Sequence, residues 1–116
     1  MPIGEAKKDG RDDDSMTLKM TLSRRWFDMI ESGEKKEEYR ELKQFWHSRL
    51  QKLVGNMPPG STIQFFNGPY CGGSLPMIEV ELLSVVIGQG RPRWGAAKDT
   101  DYYILQLGNV IERRNL

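Results

Sequence analysis

Ser32-Gly33-Glu34-Lys35-Lys36-Glu37-Glu38-Tyr39-Arg40 is the stretch on which the fold turns. Ser32-Gly33 ends a helix, because glycine accepts the positive φ that lets the chain leave the last turn sharply. From Glu34 to Leu42 the chain is charged and alternating, with Tyr39 and Leu42 as its only sizeable apolar groups, and it reads as a strand. Its faces are ambiguous: Lys36, Glu38 and Arg40 share one parity, while Lys35, Glu37 and Tyr39 share the other. Upstream, Trp26, Phe27 and Ile30 form the apolar face of a helix over residues 23–31 that starts at Ser23. Before it, Met16, Leu18, Met20 and Leu22 alternate with polar residues, the period-two pattern of a strand over residues 16–22.

Downstream, Phe45, Trp46, Leu50 and Leu53 recur at helical spacing and predict a second helix over residues 43–54. Gly55-Asn-Met-Pro-Pro-Gly60 breaks it. A strand over residues 61–66 runs into the turn Asn67-Gly68-Pro69. Residues 77–87, rich in Val, Ile and Leu, form a long strand with room for a bulge. Residues 88–95 read as a loop, residues 102–107 as another strand, and Val110-Ile111 as a last short one after Gly108-Asn109. The order predicts an α+β domain, a small mixed β-barrel with two early helices, rather than a doubly wound sheet.

Length and charge bound the rest. At 116 residues and 13.4 kDa the chain suits one domain, taken as residues 16–116. Residues 1–15 are almost without apolar side chains and read as a disordered leader. Residues 1–14 hold five acids and three bases, a net of −2. The whole chain is +1, so the remainder is +1 − (−2) = +3, a mildly basic body compatible with a phosphate-bearing ligand. No apolar run reaches membrane-spanning length and the N-terminus lacks a signal h-region, so a soluble, cytoplasmic protein without membrane partners is expected. Cys71 is the only cysteine and His47 the only histidine, which leaves no internal disulfide and no metal site to expect. The glycines match neither a phosphate loop nor a dinucleotide fingerprint, and no cofactor is expected.

Gly33, Lys35, Glu38 and Arg40 fall on the four defined places of G-x-K-x-x-E-x-R. In this the segment resembles the signature of the ASCH domain family, within the PUA-like superfamily, and the preceding strand and short helix match that family's context. The resemblance covers residues 16–112, with its sharp positions in the N-terminal half. It implies a PUA-like barrel with a cleft between barrel and helices, and an association with RNA. One branch of the family hydrolyses acylated cytidine nucleosides and looks to use a Lys, a Thr and a Glu. Lys35 matches the lysine position, Glu38 stands where that branch has its threonine, and Glu79 or Glu81 would fill the third role.

The same residues carry chemistry on their own terms. Lys35 is a compact cation suited to a phosphate or to polarising a carbonyl; buried, it can act as base or nucleophile. Glu38 and Arg40 lie two apart on a strand, share a face and can pair, or Arg40 can fork onto phosphate or a base edge. Without the motif, the plainer reading is a solvated charged strand. Asn67 and Tyr70 lie at a strand end beside glycines, where Asn can read a base edge and Tyr can stack, or where Asn67-Gly68 simply serves the turn. Arg91-Pro-Arg-Trp-Gly95 puts Arg93 and Trp94 on a loop, as a stacking and phosphate-contact element or as a core plug with solvated arginines. Trp26 and Trp46 read as core, and His47 carries no assigned chemistry.

The expected function is therefore a binding module for RNA, a nucleotide or a modified base, with Lys35, Glu38, Arg40, Asn67, Tyr70, Arg93 and Trp94 as ligand contacts. The alternative is a small hydrolase acting on an acylated nucleoside or RNA, with catalytic groups drawn from Lys35, Glu38, Glu79 and Glu81. A third reading is an interaction module without a ligand.

Overall fold

A single mixed sheet carries the molecule. In the computed structural model, which describes residues 15–68 and 74–116, five strands and two short helices follow the order β1 (Thr17–Leu22), α1 (Arg24–Glu31), β2 (Glu37–Glu41), α2 (Gln44–Leu50), β3 (Thr62–Asn67), β4 (Met77–Gln89) and β5 (Asp101–Arg114). The strands are ordered β1-β3-β4-β5-β2; β1 runs parallel to β3 and every other neighbour is antiparallel. The sheet curls into a half-barrel, giving the expected α+β domain with two early helices. Its long β4–β5 ladder shifts register three times between Glu79 and Ser84, and such irregularities bend a ladder and strengthen its twist.

The core lies inside the curl. Ile63, Phe65, Ile78, Val85, Tyr103 and Leu105 are at most 1% exposed, and α1 closes over them with Phe27 and Ile30. Met20 and Leu22 of β1 join this core, as their alternation predicted. A smaller cluster of Tyr39, Trp94, Ala96 and Ile104 forms on the other face of the β2–β5 pair. The face assignment follows from the register. Glu38 and Arg40 stand opposite Leu105 and Tyr103 and so share the core-facing side, while Tyr39 stands opposite Ile104 on the outer side.

Several element boundaries differ from the sequence reading. The second helix ends at Leu50 and tightens into a 3-10 turn over Gln51–Leu53, while Val54 leaves it to bridge Val85 in parallel. The loop expected at residues 88–95 begins later, because β4 continues through Gln89, and Pro92–Trp94 form a 3-10 turn. The last two strands are one: β5 passes straight through Gly108-Asn109, where the Glu81 Oε1 accepts the Asn109 N–H at 2.8 Å. Among the described residues no helix is long and apolar enough to cross a membrane. The leader expected over residues 1–15 lies, except for Ser15, outside the described residues, as do Tyr70 and Cys71.

Candidate functional site

β1 and β2 are the two edges of the sheet, and no ladder joins them. The curl brings them together at one point, where an Arg40 Nη2–H donates to the Thr21 carbonyl oxygen at 3.4 Å. This seam is where the charged motif gathers. α1 ends at Glu31 with Ser32 as its cap, Gly33 takes φ +86°, and the Lys35 backbone N–H returns to the Met29 carbonyl at 2.9 Å. A Cβ at position 33 would meet nothing within 4 Å, so glycine is required by the backbone angle and not by crowding. The helix end thus fixes the base of Lys35 before the strand begins.

Because β2 starts only at Glu37, strand parity does not apply to Lys35. Its side chain turns inward, and the Lys35 Nζ donates to the Glu38 Oε1. Arg40 Nη1 donates to the other carboxylate oxygen of Glu38 and, at 2.8 Å, to the Tyr39 carbonyl. Lys35 is 2% exposed and Glu38 5% exposed, so this is a buried group of two cations on one carboxylate. The solvated charged strand is excluded. Burial holds the Lys35 ammonium below its ordinary pKa; Glu38 opposes that shift and Arg40 adds to it. Lys35 Nζ also lies 4.7 Å from the Trp26 ring centre and 5.8 Å from that of Tyr39.

The cluster lines a cavity of about 300 Å³, whose walls include Trp26, Tyr39, Trp94 and Tyr102. Tyr39 ties the outer wall to β2: its hydroxyl donates to the Glu37 Oε1 at 2.7 Å and accepts the Arg91 N–H at 2.9 Å. Burial, reinforced by the carboxylate of Glu37, pushes the Tyr39 hydroxyl up to about 12. Trp94 is the expected core plug with one part facing the cavity. It is buried among Tyr39, Ala96 and Ile104, it lines the cavity, and the exposed Arg91 and Arg93 guanidiniums lie 5.2 and 5.0 Å from its ring centre. Trp26, expected in the core, only packs against it and is instead a wall of the cavity. Helical periodicity could not separate those roles, since a cavity wall and a core face are both apolar.

The other sequence candidates lie elsewhere. Glu79 is hydrogen-bonded by the Thr62 hydroxyl at 2.6 Å and Gln64 Nε2 at 3.1 Å, Glu81 holds the Asn109 amide, and neither lines the Lys35 cavity. Asn67 is occupied in its turn: its Oδ1 accepts from Arg24 at 3.0 Å and its Nδ2 donates to the Leu22 carbonyl at 3.3 Å. His47 Nδ1 lies 2.6 Å from the hydroxyl of the buried Tyr103. Among the described residues no group of three or more His, Cys, Asp or Glu side chains is placed to hold a metal ion. No protein-family model matches the chain, and no curated protein or solved structure matches it.

Proposed function

We propose that the seam cavity binds the base of a nucleotide or of a modified nucleoside, in a domain of the ASCH, PUA-like type. The observation that carries this reading is the buried Lys35–Glu38–Arg40 cluster in a nucleoside-sized cavity walled by Trp26, Trp94 and Tyr102. Two cations on one carboxylate leave a formal charge of +1, which favours a ligand with carbonyl or phosphate oxygens. Aromatic walls favour a flat π-system, and base–aromatic stacking contributes about 1–3 kcal/mol per base. A body of only +3 suits one specific nucleotide better than a long, sequence-independent RNA track.

Titration with nucleoside monophosphates, acylated cytidine and single-stranded RNA, followed by tryptophan fluorescence, tests the reading. Saturable binding that weakens at least about tenfold in Lys35→Ala and in Arg40→Lys is expected. Arg40→Lys keeps the charge and removes the planar fork, so it separates lost recognition from lost folding. Absence of saturable binding by every one of these ligands sinks the proposal.

A hydrolytic reading has one specific observation in its favour: a lysine held below its ordinary pKa beside a carboxylate in a cavity. In that case neutral Lys35 takes a proton from water as the oxygen attacks the acyl carbon of the substrate. Glu38 then relays that proton to the leaving amine as the C–N bond breaks, leaving the free nucleoside amine and a carboxylic acid that gives up its proton to water. Glu79 and Glu81 have no part in it, being engaged away from the cavity. Product release from acylated cytidine, abolished in Lys35→Ala, distinguishes this outcome from binding alone.

A further inference from the structure

A second cavity, of about 500 Å³, opens on the other side of Arg40. It is lined by Lys19, Met20 and Thr21 of β1, by Arg40, by Phe45 and Trp46 at the start of α2, and by Phe66. Arg40 and Thr21 line both cavities, so the two share one wall and follow one another along the seam. We propose that this second cavity takes the neighbouring base of a single-stranded oligonucleotide whose first base occupies the Lys35 cavity, with the linking phosphate on Arg40. The inference rests on the nucleotide reading above and narrows its ligand from a free nucleotide to a strand of at least two residues.

Three observations point to this occupant. The first is ring geometry. Phe45 is 54% exposed and meets Trp46 edge-to-face at 4.8 Å, and the Arg49 guanidinium lies 3.6 Å over the Phe45 ring. An exposed ring already accepting a planar cation on one face is a surface built for flat, stacked partners.

The second is charge. Among the described residues Lys19 and Arg40 line the cavity and no carboxylate does, so its apolar walls are paired there with positive charge. A purely apolar partner surface would gain nothing from that arrangement, whereas a nucleotide uses both halves of it. The third is the state of Arg40. Its two Nη1–H groups go to Glu38 and the Tyr39 carbonyl and one Nη2–H to the Thr21 carbonyl. That leaves Nε–H and the second Nη2–H without a hydrogen-bond partner among the described residues, on a side chain 17% exposed between the two cavities. The guanidinium lies 5.2 Å from the Trp46 ring centre, so a phosphate on those N–H groups would sit beside both base sites.

The test compares a uridine mononucleotide with the corresponding di- and trinucleotides, on wild type and on Lys19→Ala/Phe45→Ala. Both of these residues are exposed, so the double variant folds, and neither lines the Lys35 cavity. Binding is read by calorimetry and by the indole N–H signals of the three tryptophans, of which Trp26 and Trp94 line the first cavity and Trp46 the second. The dinucleotide is expected to bind about tenfold or more tighter than the mononucleotide and to move the Trp46 signal, with no further gain for the trinucleotide. The double variant is expected to lose that gain and keep the mononucleotide affinity.

A dinucleotide that binds no tighter than the mononucleotide overturns this inference and leaves the first cavity's assignment standing. A gain that survives the double substitution overturns it as well. Absence of binding by any of the three ligands removes both readings together. Self-association of the free protein that disappears in Phe45→Ala would assign the cavity to a second copy of the chain and overturn it too.

Discussion

The β4–β5 ladder and the β1/β2 seam are built on opposite terms. β4 and β5 are held along 13 and 14 residues by backbone pairing, and their inward side chains Ile78, Val80, Val85 and Leu105 are apolar and at most 1% exposed. At the seam no backbone ladder forms, and the strands meet through side chains: Arg40 on the Thr21 carbonyl, and Glu38 between Lys35 and Arg40. The ladder spends its core-facing positions on packing, whereas β2 spends Glu38 and Arg40 on charge. Buried charge is costly unless paired, and replacing such a group by apolar residues is often neutral or stabilising. A chain selected for stability alone would have closed the seam as it built the ladder. The polar seam is therefore the part of the fold that stability alone does not explain.

The largest expected effect comes from removing the one carboxylate at the seam. Glu38→Gln leaves a buried ammonium and a half-buried guanidinium without their counter-charge and is expected to cost about 3–5 kcal/mol in urea denaturation. A loss under about 0.5 kcal/mol would mean that the charges are solvated and the contrast with the ladder false.

Gly90→Ala comes next. A Cβ there would lie 2.6 Å from two ring carbons of Tyr39 and 2.7 Å from the Ala96 Cβ, inside the small cluster that backs the cavity. Overpacking of that kind costs about 1–3 kcal/mol, and the displaced Tyr39 should also weaken ligand binding. An equally stable variant with unchanged binding would show that this wall yields freely.

Smaller effects should appear at high pH. The Tyr39 hydroxyl titrates near 12 when folded, against 10.0 ordinarily. Across that window the unfolded chain gives up a proton that the folded chain keeps, so Tyr39 makes stability fall as pH rises. Lys35 acts in the opposite sense below 10.5, because the folded chain gives up its proton first and stability rises with pH. Denaturation midpoints of wild type and Tyr39→Phe, measured on either side of pH 10.0, should converge as pH climbs. Parallel curves would place the phenol in solvent.

The two regions also differed in how legible they were. The ladder follows from local signals: the Val/Ile/Leu run after Met77 and the strand pattern over residues 102–107 lie within β4 and β5 of the structure. It failed at Gly108-Asn109, where a turn-like pair is carried through a strand by the Glu81 side chain, a contact between residues distant in sequence. The motif pointed to Lys35, Glu38 and Arg40, and the structure brings all three together. It could not say how, because Lys35 reaches Glu38 from outside the strand and no parity rule covers that. Trp26, Phe45, Trp46 and Phe66 were out of reach as cavity walls, since whether an apolar helix or strand face meets core or open space depends on the curl of the whole sheet. Glu79 and Glu81 illustrate the converse, as acidic strand residues that looked chemical and serve the ladder and its neighbours.

The three indoles supply the most direct test of the seam as a nucleotide site. Nuclear magnetic resonance of their N–H groups during titration with a single nucleoside monophosphate should shift Trp26 and Trp94, which line the Lys35 cavity, and leave Trp46 in place. Arg40→Lys should weaken that response about tenfold or more. Three signals that stay fixed through saturating ligand, or a response confined to Trp46, would contradict the assignment of the Lys35–Glu38–Arg40 cavity to a base.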